Sequence, residues 1–118
     1  MAANDYHVVV YQILAYLYNC LKDGAEVNLY SIEKFKEEND INERYWQYIL
    51  KHLYESGLVE GIKTVELLGC QGMKCTAEFA ITPLGIGYLA ENSNMQKAKQ
   101  TVLQALKTAA PSIIDNIF

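Results

Sequence analysis

Between Asn42 and Leu89 the chain carries an amphipathic helix, two runs rich in β-branched residues and a second helix, with almost no connecting sequence between them. At helical spacing Tyr45, Trp46, Ile49, Leu50 and Leu53 fall on one side, while Arg44, Gln47, Tyr48, Lys51 and Glu55 collect on the other. Asn42 or Asp40 is placed to cap this helix and Gly57 to stop it. Alternation in Ile62-Lys63-Thr64-Val65-Glu66 and in Ala77-Glu78-Phe79-Ala80-Ile81 predicts strands within 58–68 and 76–82. If 71–74 form the hairpin tip, Cys70 and Cys75 lie on opposed residues, a placement compatible with a cross-strand disulfide. Thr82 suits an N-cap and Pro83 a first helical position, so a helix to about Glu91 follows. Gly85 and Gly87 lower its intrinsic propensity, so packing must hold it.

Upstream, Asp5 is placed to cap a helix running to about Lys22, with Tyr6, Val10, Ile13, Leu14, Leu17 and Leu21 as its stripe and Gly24 as its stop. Val8, Tyr11 and Tyr18 lie outside that stripe, so the helix is apolar around much of its circumference and is expected to pack on more than one side. Residues 26–30 alternate and predict a short edge strand. Ser31 then reads as the cap of a short charged helix burying Ile32 and Phe35, with Asn39-Asp40 as the turn that follows. After a break at 92–94, Met95, Ala98, Val102, Leu106 and Ala109 define a last helix that Pro111 ends or kinks.

The pattern predicts an α+β, mostly helical fold: a winged helix, that is a helix-turn-helix plus β-hairpin wing, with additional C-terminal helices. A chain of 118 residues suits one domain, with a core over about residues 5–92 and a helical extension over about 93–118. About half of the residues are apolar and a fifth are charged, a composition expected of a globular chain.

The segment Ile81-Thr82-Pro83-Leu84-Gly85-Ile86-Gly87-Tyr88-Leu89-Ala90-Glu91-Asn92 resembles the Thr-x-x-Gly-x-x-Tyr-Leu signature that follows the wing in many winged-helix proteins. Together with the lysine-bearing helix downstream, it makes the chain similar to the YjcQ-like family over most of its length. That resemblance implies a compact winged helix of bacterial or prophage type and brings no catalytic residues with it. The tail from Ser112 to Phe118 and the pair Cys70 and Cys75 lie outside the pattern.

For function, the residues point to binding. No thiol or hydroxyl has a base placed beside it, Gly69-x-x-Gly72 lacks the ending of a phosphate-binding loop, and His7, His52, Cys70 and Cys75 do not have metal-ligand spacing. A non-enzymatic protein without metal or cofactor is therefore expected. His7 and His52 read as packed histidines. The first helix is interrupted by Gln12, Asn19 and Lys22, and no export signal begins the sequence, so a cytoplasmic protein with reduced thiols and no membrane span is expected.

Arg44, Gln47, Tyr48 and Lys51, with Lys63 and Lys74 on the wing, form a candidate surface for double-stranded DNA, since Arg, Gln and Lys suit base edges and phosphates. Charge argues against it. Residues 31–82 hold six basic and nine acidic side chains, and Glu37, Glu38 and Glu43 fall near the proposed face. The competing expectation is a protein–protein adaptor built on the same fold. Tyr11, Tyr18, Ile113, Ile114, Ile117 and Phe118 supply anchors for a protein partner or for a homodimer joined by the terminal helices, unless the tail folds back on its own first helix.

Overall fold

The computed structural model describes residues 2–67 and 69–106, as α1 (Tyr6–Asp23), α2 (Leu29–Glu38), α3 (Glu43–Glu55), β1 (Val59–Leu67), β2 (Cys70–Ile81), α4 (Pro83–Glu91) and α5 (Ser93–Leu106). Among these residues the architecture is α+β and mostly helical, with one two-stranded antiparallel sheet.

Helix α1 is the element around which the others pack. Every residue from Val8 to Ala15 is buried, which no helix with a single apolar stripe would allow. It touches α3, α4, α5 and β2, so each side of its circumference meets a different element. Gly24 closes it in the left-handed conformation at φ 67°. Asp5 sits at the N-cap position but makes no side-chain cap; its carboxylate accepts from the Ala2 N–H instead. Leu21, assigned to the apolar stripe, is exposed because the packed part of the helix ends at Leu17.

The expected edge strand at 26–30 is not formed. Asn28 caps α2 by accepting from the Ser31 N–H at 3.2 Å, so the helix begins at Leu29 and takes Ser31 into its first turn. Asn and Ser are comparable N-caps, so capping at Asn28 costs nothing relative to Ser31 and adds Leu29, Tyr30 and Ser31 to the helix. Asp40 then turns the chain at φ 56°, Ile41 is buried, and the Asn42 side chain accepts from the Tyr45 N–H to start α3.

The hairpin departs furthest from expectation. Glu60 pairs with Ala80, but Ile62 pairs with Cys75, so β1 passes Gly61 alone while β2 passes Thr76, Ala77, Glu78 and Phe79. Gly61 adopts φ 81°, and a Cβ there would lie 2.2 Å from the Glu78 carbonyl oxygen, so only glycine fits. The Thr76 hydroxyl donates to the Gly61 carbonyl at 2.7 Å and accepts from the Glu78 N–H, satisfying groups the bulge removes from the ladder. Beyond it the pairing runs regularly to Leu67 opposite Cys70, with Gly69 in the turn rather than 71–74.

Cys70 and Cys75 therefore share one strand. Five positions at about 3.3 Å each separate them by about 16 Å, well beyond the reach of a disulfide. Cys75 instead faces Ile62, and burial, helped by the nearby Glu33 carboxylate, pushes its thiol up to about 12.

Helix α4 is locked onto this hairpin at its first turn. The Thr82 hydroxyl accepts from the Gly85 N–H at 3.0 Å and donates to the Gly57 carbonyl at 2.5 Å, tying the start of α4 to the end of α3. Gly85 lets the helix approach so closely that a Cβ would sit 2.2 Å from the Leu58 carbonyl oxygen. Asn92 alone separates α4 from α5, its side chain accepting from the Asn94 and Met95 amides, and α5 buries Met95, Ala98 and Val102.

Candidate nucleic-acid interface

Helix α3 buries Trp46, Ile49, Leu50 and Leu53 and leaves Arg44, Tyr48 and Lys51 exposed. Seven residues are two turns, so Arg44 and Lys51 stand about 10.5 Å apart along one side of the helix. Glu55 is exposed on that side too.

Gln47 has a different role from the one its position suggested. Its side-chain oxygen accepts from the Met73 N–H at 2.6 Å and its amide donates to the Met73 carbonyl at 3.0 Å. The amide is also within 3.0 Å of the Glu43 carboxylate. Gln47 thus occupies the free edge of β2 as a short strand would, leaving little of it for a base edge.

Tyr48 is also committed in part, packing edge-on against Tyr6 with ring centroids 6.0 Å apart and against His52 at 4.3 Å. His52 is accordingly a half-buried packed ring, as its place on the helix implied. His7 packs edge-on to Tyr6 and keeps a buried Nδ1 without a hydrogen-bond partner.

On the hairpin, the bulge changes which residues meet. Continuing the pairing from Glu60 and Ala80 without it would set Lys63 opposite Ala77; the bulge sets Lys63 directly opposite Lys74. Both are exposed, and directly opposed like charges destabilise a ladder unless something anionic lies over them.

Charge pairing sorts the surrounding groups. Lys36 binds Glu43, whose carboxyl it holds below the usual carboxylate range chiefly through that hydrogen bond, and Lys34 pairs with Glu38 at 3.7 Å. Among the described residues Arg44, Lys51, Lys63 and Lys74 make no ion pair. Two of the acids expected to repel a phosphate backbone are therefore already matched, while all four candidate cations remain unmatched. This pairing was not visible in the charge count.

Of the residues assigned to a protein interface, Tyr11 is 1% exposed and lies in the core, where burial pushes its hydroxyl up to about 12. It presents no surface to a partner. Tyr18 is half-buried with the Lys22 ammonium 4.5 Å from its ring centre. Ile113, Ile114, Ile117 and Phe118 lie outside the described residues.

The family model described as YjcQ protein matches residues 11–109. The chain belongs to the YjcQ family. No curated protein and no solved structure matched the chain. Within this YjcQ chain the Thr82, Gly85, Tyr88, Leu89 pattern is structural: Thr82 joins α3 to α4, Gly85 admits the Leu58 carbonyl, and Leu89 enters the core. Among its described residues no helix is long and apolar enough to cross a membrane, and no group of three or more His, Cys, Asp or Glu residues is arranged to hold a metal.

Proposed function

We propose that the chain is a winged-helix regulator that binds duplex DNA, with α2 and α3 as its helix-turn-helix and the β1–β2 hairpin as its wing. The observation that carries this reading is the distribution of unmatched charge: Arg44 and Lys51 on the outer side of α3, and Lys63 opposed to Lys74 on the hairpin. Phosphate neutralisation supplies most of the affinity of such proteins, so free cations matter more than a net charge of −4. Gln47 belongs to the scaffold in this reading, and direct base contact falls to Arg44 with help from Tyr48.

Fluorescence anisotropy on labelled duplex pools, taken through a low-salt genomic selection, tests the proposal. Affinity should fall linearly with salt on logarithmic axes, by about three or four ions for four cations. Arg44→Glu and Lys51→Glu should each abolish it. Recovery of no duplex at low salt would end the DNA reading and leave an adaptor role, for which exposed Tyr30 and Tyr54 provide the anchors.

A further inference from the structure

Helix α4 contains two glycines, and only one is explained by packing. Gly85 is required by the Leu58 carbonyl beneath it, whereas a Cβ on Gly87 would meet nothing within 4 Å and its φ is not of the glycine-favouring kind. Glycine is among the poorest residues for a helix interior. The space above Gly87 is a groove of about 640 Å³, within the size range of small-molecule sites. Its walls are mostly apolar, with Val10 from α1, Leu58 from the start of the hairpin and Leu84 from α4, beside the polar Ser56 and Asn92. Tyr6 and Tyr88 add aromatic rings.

Among the described residues Glu91 is the one charged side chain lining the groove; it is exposed and makes no ion pair with any of them. Ser56 at the C-terminal end of α3 and Pro83 at the first turn of α4 both line the groove, so the two helix ends offset one another and Glu91 supplies its net charge. Apolar walls, aromatic rings and an unmatched carboxylate together complement an organic cation with an apolar body.

We propose that this groove binds a small organic cation, an amine or quaternary ammonium carried on an apolar or aromatic group, with Glu91 and the Tyr6 and Tyr88 rings meeting the charge and Gly87 keeping the space open. The proposal does not depend on DNA being bound, and the groove shares no residue with the Arg44, Tyr48 and Lys51 surface, although Tyr6 packs edge-on against Tyr48. It shares Ser56 with the end of α3, through which an occupant would reach that helix.

Titration of the full chain with benzyltrimethylammonium, followed by amide chemical shifts, tests the assignment. Shifts should concentrate at Tyr6, Gly87, Tyr88 and Glu91, and 3,3-dimethylbutan-1-ol and phenylacetate should not reproduce them. Glu91→Gln should weaken binding about five- to tenfold. Gly87→Leu should abolish it, while the melting temperature stays at or above that of the parent.

Equal shifts from the alcohol, or binding unchanged in Gly87→Leu, would overturn the proposal. Binding only of a lysine-bearing peptide would assign the groove to a protein side chain instead. A fall in sedimenting mass on Gly87→Leu would assign it to a second copy of the chain.

Discussion

Gln47 on α3 and Met73 on β2, twenty-six residues apart in sequence, exchange two hydrogen bonds through one side-chain amide and one peptide unit. They fix the hairpin to the helix, and so fix Lys63 and Lys74 relative to Arg44 and Lys51. Gln47→Leu strands both Met73 backbone groups and should destabilise the fold by about 1–3 kcal/mol. Amide hydrogen exchange should show the Met73 N–H losing protection while the α1 amides keep theirs. Unchanged Met73 protection would show that the clamp does not form in solution.

Gly85 and Gly87, two residues apart in α4, should answer the same substitution with opposite signs. Gly87→Ala should stabilise by up to about 1 kcal/mol, because it gains helix propensity and meets nothing. Gly85→Ala drives a methyl into the Leu58 carbonyl and should destabilise by about 2–3 kcal/mol. Urea denaturation of the two variants measures both.

Gly61→Ala combines a left-handed backbone with contact against the Glu78 carbonyl. It should destabilise by about 3 kcal/mol. Because the bulge sets the register, the variant should also lose the cross-strand nuclear Overhauser effects between Lys63 and Lys74.

Lys63→Glu separates folding from binding. It replaces an opposed like-charge pair with an opposite one and should stabilise the hairpin by about 0.2–1 kcal/mol. The same change should weaken duplex affinity and lower the salt slope. A variant both more stable and equally tight on DNA would remove the hairpin from the interface.

The Lys36–Glu43 pair should make stability fall on acidification. Glu43 titrates lower in the folded chain than in the unfolded one, so its contribution is complete above the ordinary carboxylate range and is lost as pH falls through the folded value. The denaturation midpoints of the parent and of Lys36→Met should therefore differ more near about pH 6 than near about pH 2.5. Glu43 is largely exposed, so added salt should also narrow the difference.

Much of the molecule was legible one residue at a time. Periodicity located the core face of α3 and the all-round burial of α1, and Thr82-Pro83, Asn42, Gly24 and Asp40 marked where the chain starts, stops or turns. These signals are local, since a cap or a left-handed residue acts within a few positions of itself. The edge strand at 26–30 failed on the same ground, because Asn28 outcompeted Ser31 for the helix start over a distance that alternation alone does not weigh.

The hairpin register could not be obtained that way. Strand alternation is indifferent to which residue lies opposite, and the shift at Gly61 depends on a carbonyl seventeen positions away. That shift brought Lys63 to Lys74, and the turn at Gly69 left Cys70 and Cys75 together on one strand. The candidate surface shows the same division. Its residue types came from the sequence, which determined the helices, their caps and the side chains available for binding. Which of those side chains are free, with Gln47 spent on Met73, Tyr11 inside the core and Glu43 matched by Lys36, was decided by the tertiary structure, because hydrogen bonding and charge pairing depend on distance in space rather than on order along the chain.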